Sequence, residues 1–242
     1  MGEKMRIDKF ISNMGFGSRK EIKEYIKKKK ITVNGEIIKS GDMYIDTDDK
    51  IYCCGKKVEY EKYIYIMMNK PSGYVSANTD SKEKTVFDLI SNEYRKKDLF
   101  VAGRLDKDTE GFLIITNNGK FAHNMLSPKK HVNKTYLVKS QGGEITNEDI
   151  IRFKNGITID DGYTCKPAII EIKNNGEISE CLLTISEGKF HQVKRMFEAI
   201  GKKVIYLKRV KIGNLELDNN IPLGKFKIMN EYDIKLIGAD KE

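Results

Sequence analysis

The residues best suited to chemistry lie in one short run, Gly103-Arg104-Leu105-Asp106-Lys107-Asp108-Thr109-Glu110-Gly111. Two glycines bracket a polar loop between apolar segments at 99–102 and 112–115, and the loop carries three carboxylates and two cations. A carboxylate on a loop at a strand end can serve as nucleophile or general base. An ordinary charged turn has the same composition, and spacing alone does not choose among Asp106, Asp108 and Glu110. Other chemistries find no foothold. The chain has no G-x-x-x-x-G-K-[ST] phosphate loop, no H-E-x-x-H and no G-x-S-x-G, and Gly15-Phe16-Gly17-Ser18-Arg19-Lys20 lacks the third glycine of a dinucleotide fingerprint. Cys53, Cys54, Cys165 and Cys181 form no C-x-x-C pair, and His123, His131 and His191 show no zinc-ligand spacing. No metal is expected, and free thiols point to a cytoplasmic chain.

The elements that must hold such a loop are legible in outline. A length of 242 residues, 39% apolar and 33% charged, allows one large domain or two modest ones and argues against wholesale disorder. No apolar run approaches a membrane span, and Arg6, Asp8 and Lys9 interrupt any apolar signal core at the N-terminus. The net charge of +9 is unevenly placed. Residues 1–30 hold ten Lys/Arg against four Asp/Glu, and residues 189–211 hold eight against Glu198 alone. Two basic clusters on a nearly neutral body suit two contacts on one polyanion, although solvated lysine-rich faces look the same in composition.

In the first sixty residues, Ile7, Phe10, Ile11 and Met14 repeat at helical spacing until Gly15 and Gly17. Ser18 with Glu21 forms a capping box for a second helix that buries Ile22 and Ile26 and exposes Arg19, Lys20, Lys23 and residues 27–30. Strands at 31–33 and 36–38 flank an Asn34-Gly35 hairpin turn, and a second hairpin spans 50–58. The run RIDKFISNMGFGSRKEIKEYIKKKKITVNGE resembles the alpha-L RNA-binding domain named for ribosomal protein S-four. That resemblance implies an RNA-facing surface built from Arg6, Ser18, Arg19, Lys20, Asn34 and Gly35. Ser18 is also a plain helix cap, and a capped helix start beside two cations is itself a phosphate site.

Residues 59–62 read as a linker. Beyond them come strands at 63–68, 99–102, 112–115, 135–138, 165–172, 181–185, 204–207 and 212–217. A turn is expected at 69–73, with helices at 85–90, from Asn118-Gly119 to Leu126, and at 191–200. This mixture predicts an α+β chain: a small helical and hairpin RNA-binding domain (4–58), then a domain with a mixed, mainly antiparallel sheet (63–242).

Four segments of that second domain, GRLDKDTEGFLIITNNG, YIMMNKPSGYVSA, HVNKTYLV and EGKFHQVKRMFEAIGKKVIYLKRVKIGNLEL, resemble in order the motifs of the RsuA/RluA family of pseudouridine synthases. The resemblance implies a reaction without metal or cofactor: a uridine's N-glycosidic bond is cleaved, and the uracil turns and rejoins the sugar through carbon 5. It implies that Asp106 is the essential carboxylate, acting on the sugar as nucleophile or on its 2′ proton. Lys194 would be its cationic partner, with a point charge where arginine would grip bidentately. Tyr136 would stack on the flipped uracil, although most strand tyrosines are core residues. Leu207, Arg104 and Gln192 would line the pocket, His191 would shape it or touch RNA, and Arg195, Lys208 and Arg209 would touch RNA. His123 and His131 are expected to be structural or RNA-facing.

The stretch LSPKKHVNKTYLV resembles the small-subunit branch, so the implied substrate is 16S ribosomal RNA or a small-subunit assembly intermediate, met by a cytoplasmic monomer. A large-subunit ribosomal RNA enzyme is the alternative. A non-catalytic ribosomal RNA-binding assembly factor would have no need of Asp106 and Tyr136. A carboxylate-dependent hydrolase of nucleosides or sugars would leave the N-terminal module without purpose.

Overall fold

The computed structural model describes residues 4–60, 63–91, 94, 98–127, 130 and 132–239. His131, residues 61–62 of the expected linker and residues 240–242 lie outside the described residues. The chain divides into two compact units, residues 1–64 with 90–99, and residues 65–89 with 100–242.

In the first unit, β1 (Lys4–Arg6) leads into α1 (Ile7–Asn13), and α2 (Arg19–Lys27) follows. The capping box is formed: Ser18 Oγ accepts from the Glu21 amide at 3.3 Å and Glu21 Oε2 accepts from the Ser18 amide at 2.7 Å. Strands β2 (Ile31–Val33), β3 (Glu36–Ile37), β5 (Ile51–Cys53) and β6 (Lys56–Val58) form a sheet in the order β3-β2-β5-β6. The turn between β2 and β3 places Asn34 at φ 51° and Gly35 at φ 90°, the left-handed pair that an Asn-Gly hairpin needs. Ile7, Phe10, Ile11, Ile22, Ile26 and Ile31 pack into one core. The sequence reading missed the pairing of β1 with β4 (Tyr44–Asp46), because three-residue strands carry almost no periodic signal.

The second unit is one large sheet with helices against it. Its strands are β7 (Tyr65–Lys70), β8 (Phe100–Ala102), β9 (Glu110–Thr116), β10 (Lys134–Gln141), β11 (Ile169–Asn174), β12 (Ile178–Ile185), β13 (Lys203–Ile212), β14 (Leu215–Glu216) and β15 (Phe226–Ile228). The order is β11-β12-β10-β13-β9-β7-β15, with β14 beside β13 and β8 beside β9. Every named strand pair is antiparallel except β13 with β9, which run parallel and match Lys208 to Glu110 and Arg209 to Gly111. Phe112, Leu113, Ile114 and Ile115 of β9 are all fully buried, as expected of a central strand covered on both faces. Strand β10 alternates instead, so Lys134, Tyr136, Val138 and Ser140 share its buried face. The helices are α3 (Gly119–Leu126), α4 (Asn147–Asn155), α5 (Gln192–Glu198) and α6 (Glu231–Ile237).

Several expected elements are corrected. Asn69 and Lys70 end a strand rather than begin a turn, since β7 stays paired with β9 as far as Gly111. Residues 165–168 are not strand; β11 starts at Ile169. The segments 204–207 and 212 belong to one ten-residue strand, whose basic middle hid its continuity. Residues 86–89 form a 3-10 turn. Helix α4, with only Asp149 and Phe153 buried, and the elements β15 and α6 were not foreseen, because so thin an apolar face gives no clear period.

Candidate active site

The acidic loop joins β8 to β9, and its backbone is fixed from several sides. The hydroxyl of Ser76 donates to the Leu105 carbonyl at 2.7 Å and accepts from the Leu105 amide at 3.1 Å. Beneath the loop, the fully buried Lys70 ammonium donates to the carbonyls of Thr109 (2.8 Å), Lys107 (3.1 Å) and Pro71 (3.1 Å). Burial pushes that ammonium down to about 8, against the pull of Asp108, Asp106 and Glu110. At the loop's two ends, Arg209 donates from Nη2 to the Gly103 carbonyl and from Nε to the Phe112 carbonyl, both at 2.7 Å. Gly111, at φ 97°, lies so close to β13 that a Cβ there would sit 2.3 Å from the Arg209 carbonyl. Only a glycine permits that approach.

With the backbone so held, the Asp106 side chain, 28% exposed, faces a cavity of about 810 Å³. Helix α5 brings Lys194 to it: Nζ is 3.3 Å from Asp106 Oδ2, and 2.7 and 2.8 Å from the two oxygens of Asp108. The expected cation is therefore at the carboxylate, but it is shared, and Asp108 holds the shorter contacts. Burial alone would lower the Lys194 value and raise that of Asp108; their mutual bond and charge overcome it and move both the other way. His191 Nε2 lies 3.7 Å from Asp106 Oδ1, an ion pair only when the ring is protonated. Glu110 is turned aside and accepts from the Tyr206 hydroxyl at 2.9 Å.

Tyr136 lines the same cavity and is 8% exposed. It stands across β10 and β13 from Arg209, whose Nη1 is 3.5 Å from the Tyr136 hydroxyl. Arg104, Leu207 and Gln192 also line the cavity. Gln192 is committed to the protein: Nε2 donates to Glu187 and Oε1 accepts from the Lys189 amide, each at 2.9 Å. Two residues expected to touch RNA are engaged within the protein. Arg209 is buried, and its bonds run to backbone carbonyls and Tyr136, because it follows Leu207 on the inward face of β13. Arg195 is paired with Asp160 and, at 2.7 Å, with Asp161. Lys208 remains half-exposed, and His123 is exposed on α3.

In the first unit Ser18, Arg19, Lys20 and Gly35 are exposed. Arg6 pairs with the buried Asp8 at 2.8 Å. The Asn34 side chain is spent on the fold, donating to Asp49 at 2.8 Å and accepting from the Lys50 amide at 2.9 Å.

Sequence reasoning missed Lys70, whose partners are carbonyls with no residue signature, and Lys134. The latter lines the cavity two residues before Tyr136, and burial, aided by Arg209, pushes it down to about 8. It donates to the Met125 carbonyl at 3.3 Å, at the end of α3. Among the described residues no three His, Cys, Asp or Glu side chains are grouped to hold a metal ion, and no helix is long and apolar enough to cross a membrane.

The RNA pseudouridylate synthase family matches residues 64–199, and the S4 domain matches residues 5–51. An RNA pseudouridine synthase of Bacillus subtilis, YtzG, is 45% identical over 96% of this chain and 98% of its own length. Ribosomal small subunit pseudouridine synthase A of Haemophilus influenzae is 37% identical over 96% of this chain and 98% of its own. Ribosomal large subunit pseudouridine synthase B of Bacillus subtilis is 35% identical over 97% and 96%. A solved pseudouridylate synthase crystal structure superposes with a TM-score of 0.68 at 35% identity, covering 96% of this chain and 99% of that one.

Proposed function

This chain belongs to the RNA pseudouridylate synthase family, and we propose that it isomerises a uridine of small-subunit ribosomal RNA, with Asp106 as the essential carboxylate. One observation carries the reading: a carboxylate on a rigidly tied loop faces a cavity with a buried tyrosine on its wall and a lysine at 3.3 Å. The target uridine leaves its stack and enters the cavity, where Tyr136 covers its ring. Asp106 attacks sugar carbon 1, or takes the 2′ proton to give a glycal, as the bond to uracil N1 breaks. The uracil turns, and carbon 5 bonds to carbon 1 as the ester bond to Asp106 breaks, or as carbon 2′ takes its proton back; the carbon 5 proton is then lost to solvent and N1 takes one up. Lys194 holds the Asp106 carboxylate in position, and Arg104, Leu207 and Gln192 bound the pocket. Residues 4–58 act as the docking domain through Arg6, Ser18, Arg19, Lys20 and Gly35, with Lys208 as a further contact on the catalytic domain of residues 63–242.

Similarity to the small-subunit enzyme of Haemophilus influenzae favours the 16S target. The large-subunit enzyme of Bacillus subtilis, nearly as similar, supports the alternative. Tritium release from carbon-5-labelled transcripts of each ribosomal RNA separates them. Release from the small-subunit transcript alone is expected, and release only from the large-subunit transcript would reverse the assignment. Asp106→Asn is nearly isosteric and should fold and bind RNA yet release no tritium; release from that variant would refute the role of Asp106.

A further inference from the structure

The loop before α5 carries an aromatic side chain with no role so far. Phe190 is 75% exposed, the largest exposure among the large apolar residues described, yet it lies beside the cavity that holds Asp106. Its ring stacks on the imidazole of His191, with centroids 3.8 Å apart and planes 19° from parallel. The backbone beneath is fixed. The Phe190 carbonyl accepts from Arg195 at 3.4 Å, the Lys189 amide donates to Gln192 at 2.9 Å, and the Gln192 amide donates to the Lys189 carbonyl at 3.2 Å. His191 sits in the left-handed region at φ 50°, ψ 28°, a conformation a non-glycine residue holds only at a cost. This ordered, strained loop therefore holds an apolar ring in water at the mouth of a polar site, where nothing in the fold benefits.

The geometry points to Phe190 and His191 as a stacking platform for a nucleobase of the RNA strand flanking the target uridine, an inference that rests on the pseudouridine synthase reading above. Drawing one base out of a strand leaves its neighbour without a stacking partner, and an aromatic face at the pocket mouth replaces what was lost. One face of Phe190 is covered by His191, and the ring's exposure leaves the other for a base. His191 extends the stack inward to within 3.7 Å of Asp106. Three exposed cations also border the cavity, Arg104, Lys189 and the Glu83-paired Lys107, which suits a phosphate backbone entering beside the ring. The occupant is thus a single-stranded nucleic-acid base rather than a protein side chain.

The test compares wild type with Phe190→Ala, Phe190→Leu and Phe190→Trp on carbon-5-tritiated small- and large-subunit ribosomal RNA transcripts, with thermal melting of each variant alongside. Base–aromatic stacking of ordinary strength predicts that Ala and Leu raise KM roughly ten-fold or more, with kcat within about two-fold. Trp should restore the wild-type KM, and all melting midpoints should agree. Leucine keeps the apolar bulk without an aromatic face, so a Leu variant with wild-type KM would overturn the platform. So would a Trp variant no better than Ala, or a loss of activity that tracks a lowered melting midpoint. An active wild type with an unaffected Ala variant refutes the platform alone. A wild type that releases no tritium from either transcript refutes the reading on which it rests, and the platform with it.

Discussion

Replacing Lys70 with methionine keeps most of the side-chain stem and removes the ammonium beneath the acidic loop. Three bonds to the carbonyls of Pro71, Lys107 and Thr109 are lost. At about 1.5 kcal/mol each, the low end for bonds to a charged group, that is roughly 4.5 kcal/mol. Against it stands relief from burying the charge. A fall from 10.5 to about 8 corresponds to about 3 kcal/mol. The net loss is on the order of 1–2 kcal/mol, a modest drop in the urea midpoint. Turnover should suffer far more, because Lys107 and Thr109 follow Asp106 in the same loop and a displacement of about 1 Å at a catalytic group costs on the order of 100-fold. Single-turnover tritium release and urea unfolding of both proteins measure the two effects, and a rate within about three-fold of wild type would refute the tether. The pH dependence gives an independent signature. Between pH 8 and 10.5 the unfolded chain holds the Lys70 proton more tightly than the folded one, so wild-type stability relative to Lys70→Met should rise across that window. Catalysis should fall over the same window, since a neutral amine has two hydrogens for three carbonyls.

Lys194→Met should lower turnover at least about 100-fold at unchanged RNA affinity, while Lys194→Arg retains much of it; both are read by single-turnover tritium release, and tolerance of Met would remove Lys194 from the mechanism. Asp108→Asn should stay within about ten-fold of wild type in the same assay, because Lys194 keeps its 3.3 Å contact with Asp106; a complete loss would make Asp108 the functional carboxylate. Changing Arg19 and Lys20 to Ala should weaken transcript binding and reduce the salt slope by about 1.4 to 1.8 if each meets one phosphate, with saturating turnover unaffected. Gly111→Ala must place a methyl 2.3 Å from the Arg209 carbonyl at φ 97°, which should cost about 3 kcal/mol or more in urea unfolding; a near-neutral result would mean β13 yields easily.

What the sequence disclosed were local rules. The capping box of Ser18 and Glu21, the Asn34-Gly35 turn and the apolar run of β9 each signal their conformation within a few residues. The acidic loop could be located for the same reason, between two glycines and two strands. What stayed hidden depends on distant partners. Lys70 reads as part of a turn because its bonds go to carbonyls, which every residue has. Arg195 and Arg209 read as phosphate contacts because they belong to a basic run. The former meets Asp160 and Asp161 from another part of the chain, and the latter follows Leu207 on the inward phase of β13. Even the choice of Asp106 over its neighbours came from family resemblance; the geometry adds that Asp108 competes for the same cation.

The single parallel joint between β9 and β13 has a consequence in time. It joins a half-sheet of β7, β8, β9 and β15 to a half-sheet of β10 to β14. Asp106 belongs to the first half, whereas Tyr136, Lys194 and Arg209 belong to the second. On a ribosome making about 5–20 residues per second, β13 is completed on the order of ten seconds after β9. Through most of that interval the nascent chain carries the carboxylates of the loop without the lysine that joins them, and through all of it without the complete strand that Gly111 receives. The site is thus closed late in synthesis, and a chain interrupted before β13 has the acidic loop and Lys194 but not the strand that joins the two half-sheets.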